Sequence, residues 1–167
     1  RSVQQTNVNL VLRDHTYSDY FRTKNRDEIV NKSTLLDVIS LDFEVQPLVT
    51  IRNPLEAYLS LKNNNGDQSI SNFSDYCDRQ FMMIEHYKIR KIPIMRYEDF
   101  CLDPTEFLKC VCKIFDLEFN PDFQKNFHRI KMTGDSGRGR SESLKTIKKL
   151  PPKYIPSELL LEASVSN

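Results

Sequence analysis

The sequence predicts an α/β protein in which a mostly parallel sheet is flanked by helices. Three observations carry that expectation. Val8–Leu12, Leu48–Ile51 and Ile94–Arg96 are short runs of nearly continuous apolar character, as strands buried on both faces are. Segments with helical apolar spacing separate and follow the later two runs, and such alternation of strand and helix indicates a parallel sheet covered by helices. At Ile51-Arg52-Asn53-Pro54 the chain passes directly from strand to helix, because Asn is a good N-cap and Pro suits a first helical turn.

Along the chain, Val8–Leu12 is expected to be a buried strand that ends at Arg13-Asp14. Ser33-Thr34 caps a short helix carrying Leu35, Leu36, Val38 and Ile39. Leu48–Ile51 is the second strand. The helix opened by Pro54 holds Leu55, Tyr58 and Leu59 at helical spacing and ends at the polar run Asn63–Asp67. A long helix is predicted from about Ser71 to Ile89, with Phe73, Cys77, Phe81, Ile84 and Lys88 along one stripe and Met82 and Met83 as core. Pro93–Tyr97 gives the third strand. Pro104 opens a helix with Phe107, Leu108, Val111, Cys112 and Phe115 on its apolar face. Beyond Asp116 the pattern weakens. The span Thr133–Arg140 holds three of the four glycines and reads as a loop, and Ser157 caps a last helix.

Composition narrows the function. The 167 residues are 39% hydrophobic and 28% charged, an ordinary globular balance, and suffice for one domain, expected to span 1–167. With 24 basic and 23 acidic residues the net charge is +1, which argues against a nucleic-acid or membrane-surface binder. No apolar run approaches the roughly 18 residues of a membrane span. Cys77, Cys101, Cys110 and Cys112 form no CxxC pair, and no His is spaced to complete a zinc site, so no metal is expected. Free thiols, with Cys77 and Cys112 buried, fit a reducing, cytoplasmic setting.

Two segments could hold an anion. Arg52 falls at the carboxyl end of a strand, where open α/β sheets bind ligands. The N–H groups that start the next helix face the same space, and Ser60 lies on the face of Asn53 and Glu56 about two turns along. Taken alone, the pair fits equally an arginine bonded to a nearby carboxylate and a serine on a solvated face. In the second segment, Gly134, Gly137 and Gly139 allow N–H groups to converge on a phosphate, with Arg138 and Arg140 adding charge. A flexible surface loop has the same composition.

Together, and in this order, the segments resemble the sulfotransferase family. Leu48–Pro54 followed by Ser60 is similar to the motif that grips the 3′-phosphate of 3′-phosphoadenosine-5′-phosphosulfate (PAPS). Arg96–Phe100, Asp103-Pro104 and the helix ending at Phe115-Asp116-Leu117 resemble the next strand, loop and helix. Thr133–Arg138 is similar to a late loop in bacterial-type members that closes over the nucleotide. The resemblance runs from about Asn7 onward. It implies a fold of the P-loop nucleoside-triphosphate-hydrolase type, PAPS as donor, adenosine 3′,5′-bisphosphate as product, and a small-molecule or glycan acceptor. The cofactor-binding residues it implies are Arg52, Ser60, Ser136, Gly137, Arg138 and Arg140.

The family's first strand and its Gly- and Ser/Thr-rich loop, which cradles the 5′-phosphosulfate, have no counterpart here. The chain is therefore expected to be an N-terminally incomplete domain that is inactive alone and prone to self-association through an uncovered sheet edge. In-line sulfonate transfer relies on positioning and charge stabilisation, with a base to accept the acceptor's proton. Relatives carry a His at the position of Tyr17, so His15 stands two residues away and is the candidate base. Asp14 could orient it, and Asp19 is an alternative base. His86 and His128 read as structural or surface residues. Two other readings stay open: a nucleotide kinase-like P-loop protein, which would require a Gly-Lys-Ser/Thr loop, and a non-catalytic nucleotide-phosphate-binding domain.

Overall fold

A computed structural model describes residues 10–14, 17–29, 32–63, 69–129, 147 and 154–165. The architecture is mixed α/β, with a small two-stranded parallel sheet and several helices around it. Strand β1 (Val49–Ile51) pairs with β2 (Ile94–Arg96) in the register Val49↔Ile94, Thr50↔Met95 and Ile51↔Arg96. The N–H of Val49 also donates to the Pro93 carbonyl at 3.0 Å, which carries the ladder one residue further. Helices α1 (Tyr17–Tyr20) and α2 (Thr34–Ile39) precede the sheet. Helices α3 (Pro54–Asn63) and α4 (Phe73–Ile89) form the crossover between its strands. Then come α5 (Tyr97–Leu102), α6 (Pro104–Ile114), α7 (Phe123–Asn126) and α8 (Ser157–Val165).

The helix starts follow from cap chemistry. Asn53 Oδ1 accepts from the N–H groups of Leu55 (3.0 Å) and Glu56 (3.3 Å), so α3 begins where Pro54 can fill the first turn. Asn72 Oδ1 accepts from Asp75 N–H at 2.8 Å and starts α4. Asp103 Oδ1 takes the N–H groups of Thr105 and Glu106 ahead of α6. At the other end of α4, Lys91 adopts a left-handed φ of 56°. That turn lets Ile92 N–H reach back to the Tyr87 carbonyl (2.9 Å) and aims the chain into β2.

The core lies between α4 and the elements it touches: α1, α3 and α8. Tyr20, Phe21, Tyr58, Phe73, Tyr76, Met83 and Tyr87 are its buried aromatic and sulfur-bearing side chains, closed by Val49, Ile70, Ile92 and Leu159. Phe21 stacks beside Tyr76 with centroids 5.1 Å apart, and Tyr58 meets both Phe73 and Tyr76. The buried face of α4 is Phe73, Tyr76, Arg79, Gln80, Met83 and Tyr87. It is rotated from the expected stripe, and Phe81 is 63% exposed. Burying Tyr76, Met83 and Tyr87 covers more ring and thioether surface than the alternative stripe would, which favours this rotation.

One expected strand is not formed by those of its residues that are described. Leu10–Leu12 form no strand among the described residues, and Val11 is 84% exposed. β-Propensity reflects packing against neighbours, and Leu10–Leu12 have no described strand beside them. Val8 and Asn9 lie outside the described residues. The four cysteines are unpaired; Cys77 and Cys112 are half-buried rather than buried. No helix among the described residues is long and apolar enough to cross a membrane.

Candidate anion site at the end of the first strand

Arg52 leaves the carboxyl end of β1 beside the end of β2, where Arg96 is paired with Ile51 and exposed. Three groups fix the Arg52 position. Gln80 of α4 donates from Nε2 to the Arg52 carbonyl at 3.2 Å. Tyr97, the first residue of α5, lies under the guanidinium, with Cζ 5.4 Å from the ring centroid. Glu56, one turn into α3, accepts from Arg52 Nη2 at 3.0 Å. The Arg52 side chain is 35% exposed and that of Glu56 only 17%. Arg52 Nε–H is buried and has no hydrogen-bond acceptor among the described residues.

The start of α3 is more occupied than its sequence suggests. The N–H groups of Leu55 and Glu56 are taken by Asn53 Oδ1, and the N–H of Asn53 donates to Glu98 Oε1 at 2.8 Å. The expectation that helix N–H groups would receive an anion is corrected here: Asn53 is so effective a cap that it fills those donors itself. The guanidinium of Arg52 is then the donor group at this edge that could receive an anion. Ser60 is half-buried on α3, two turns from the cap, on the face of Asn53 and Glu56. Burial holds the Tyr76 hydroxyl up at about 12, against the opposing pull of the Arg52 charge, so Tyr76 stays neutral there.

Asp19, the alternative base, is engaged structurally. Its carboxylate accepts from the Thr34 N–H (2.9 Å) and hydroxyl (2.6 Å) and so joins α1 to the start of α2. Asp14 is exposed. His86 sits in α4 against Tyr20 and Tyr87, and its p*K*a is lowered by burial and by the Arg90 charge. His15, Ser136, Gly137, Arg138 and Arg140 lie outside the described residues. Sequence reasoning brought Arg52 and Ser60 to one strand–helix junction but missed Gln80, Tyr97 and Glu98 as its supports. Glu56 had a signal, since an acid four residues after an arginine at a helix start is placed to pair with it. Among the described residues, no group of three or more His, Cys, Asp or Glu side chains gathers as a metal site.

Comparison with family models, curated proteins and solved structures returned no match.

Proposed function

We propose that this protein belongs to the sulfotransferase class and binds PAPS, with Arg52 and Ser60 receiving the 3′-phosphate. The observation that carries the reading is the junction itself. A parallel strand ends at Arg52, turns at once into the Asn53-capped α3, and presents Ser60 two turns along. Strand ends in such sheets are where ligands sit. An arginine at that point can form charge-assisted, bidentate bonds with a phosphate. The buried Nε–H of Arg52, lacking an acceptor among the described residues, fits an anion better than a purely structural ion pair would. The residues assigned to the rest of the nucleotide are Ser136, Gly137, Arg138 and Arg140, with His15 as base and a small-molecule or glycan hydroxyl as acceptor. The fold assigned is the P-loop-like sulfotransferase fold, and the unpaired cysteines fit a cytoplasmic setting.

Calorimetric titration with adenosine 3′,5′-bisphosphate, ATP and AMP tests the reading. The bisphosphate should bind best. Arg52→Ala should weaken it by roughly tenfold or more, because a hydrogen bond to a charged group is worth about 1.5–3 kcal/mol. Ser60→Ala removes a neutral donor and should cost about 0.5–1.5 kcal/mol. Equal affinity for nucleotides with and without the 3′-phosphate would overturn the assignment. Preference for ATP with Mg²⁺ would favour a kinase-like protein instead.

A further inference from the structure

The Arg52–Glu56 pair has an unusual shape for a salt bridge. The Nε–H and one Nη2–H of an arginine point along the same edge of the guanidinium, and a carboxylate or phosphate that takes the whole edge bonds to both. Of that edge, Glu56 takes the Nη2 donor, at 3.0 Å. Nε, on that same edge, is buried and has no acceptor among the described residues. One edge of Arg52 is thus covered but half-used. Tyr97 lies against one face of the guanidinium, which limits any swing away. Gln80 holds the backbone behind it.

We infer that Glu56 is an internal latch on the bidentate edge of Arg52, displaced when a phosphate monoester binds. The inference rests on the proposed 3′-phosphate site and adds to it the group that regulates access. A phosphate monoester carries between one and a half and two charges near neutrality, whereas Glu56 carries one. It can accept from Nε and Nη2 together and so satisfies the orphan donor that Glu56 leaves. The displaced carboxylate remains in the first turn of α3, where the helix field favours negative charge. Divalent phosphate groups therefore displace the latch more readily than weaker anions do. The latch screens the site against singly charged anions at the expense of some affinity for the intended ligand.

Titrations of the whole chain with adenosine 3′,5′-bisphosphate and with inorganic sulfate test this, using the wild type, Glu56→Gln, Glu56→Ala and Arg52→Ala. Circular dichroism and thermal melting check that each variant is folded. Glu56→Gln keeps the shape and removes the charge, so it should tighten bisphosphate binding by roughly three- to tenfold. Sulfate, also a dianion able to take the whole edge, should gain by a similar factor. The Arg52 ¹⁵Nε–H resonance should move downfield when bisphosphate binds the wild type, reporting a new acceptor on Nε. Weaker or unchanged bisphosphate binding in both Glu56 variants, with Arg52→Ala still disruptive, would overturn the latch and leave the 3′-phosphate site standing. Bisphosphate binding that is insensitive to Arg52→Ala, or absent in the wild type, would overturn the site and the latch together.

Discussion

Arg79 offers the most direct test of what holds this structure together. Its side chain is 1% exposed, in the middle of α4. Nε donates to Asp75 Oδ1 at 2.7 Å. Nη1 donates to the carbonyls of Tyr20 (3.1 Å) and Thr23 (2.8 Å), and Nη2 to those of Lys24 (3.4 Å) and Ser69 (3.3 Å). All five guanidinium N–H groups are thereby engaged. The arginine ties the segment after α1, and the turn before α4, to one helix. Arg79→Met keeps much of the volume but leaves the Asp75 carboxylate and several carbonyls short of a donor. Removing one partner of a buried pair costs about 3–5 kcal/mol, a large share of the roughly 5–15 kcal/mol that stabilises a domain. With a urea m-value of about 2 kcal/mol/M, the unfolding midpoint should fall by roughly 1.5–2.5 M. Arg79→Lys keeps the charge but not the fork, so its loss should lie between Met and wild type. Trypsin should cut after Lys24 faster in both variants, since their contacts no longer hold that segment. A Met variant within about 1 kcal/mol of wild type would refute the view of Arg79 as the clamp.

The remaining expectations concern the ends of α4. Glu162 of α8 accepts from the N–H groups of Phe73 (3.0 Å) and Ser74 (3.2 Å), so Glu162→Ala should cost about 1–2 kcal/mol and raise amide exchange through α8, as read by mass spectrometry. Burial and the Arg90 charge hold the p*K*a of His86 below its ordinary value of 6.5. The unfolded chain therefore binds the proton first: this contribution to stability is complete above pH 6.5 and is lost as pH falls toward the lowered folded value. Chemical denaturation from pH 7 to about pH 5 should show that decline, and His86→Phe should flatten it.

Elements announced by a local cap were legible in the sequence. The Asn53-Pro54 and Asp103-Pro104 signals place the starts of α3 and α6, because their chemistry is complete within three or four residues, whereas Ser157, expected as a cap, is itself the first residue of α8. The strands at Val49–Ile51 and Ile94–Arg96 were also legible, since each is apolar and has the other to pair with. Leu10–Leu12 has similar composition but no described strand beside it, and composition cannot supply a partner. Helix α5 was missed because six residues are too few for periodicity to distinguish a helix from a strand continuation. Arg79 was illegible for a different reason. Its partners at Tyr20, Thr23 and Lys24 lie more than fifty residues away in sequence, and nothing local distinguishes it from an arginine on a wet face. Arg52 was legible as a candidate because a strand end is a local fact. That the N–H groups of Leu55 and Glu56 were filled was implicit in the Asn53 cap, whereas the Glu98 carboxylate on the Asn53 N–H is one that only the fold brings near.

These contacts make α4 the link between the candidate site and the rest of the molecule. Arg79 and Gln80 are consecutive, yet Arg79 bonds to the segment after α1 while Gln80 bonds to the carbonyl of Arg52. On a helix, adjacent residues project about 100° apart, so one helix can bind two separate segments from one turn. Met83, buried one turn beyond Arg79 and Gln80, packs within the same core and resists rotation of the helix. A displacement of α4 that spared the sheet would still draw the Arg52 carbonyl away from its Gln80 donor. The guanidinium would then lose its backbone register against Glu56 and Tyr97, although neither of those residues had changed. The geometry around Arg52 is therefore a property of α4 packing as much as of the β1–α3 turn that carries it.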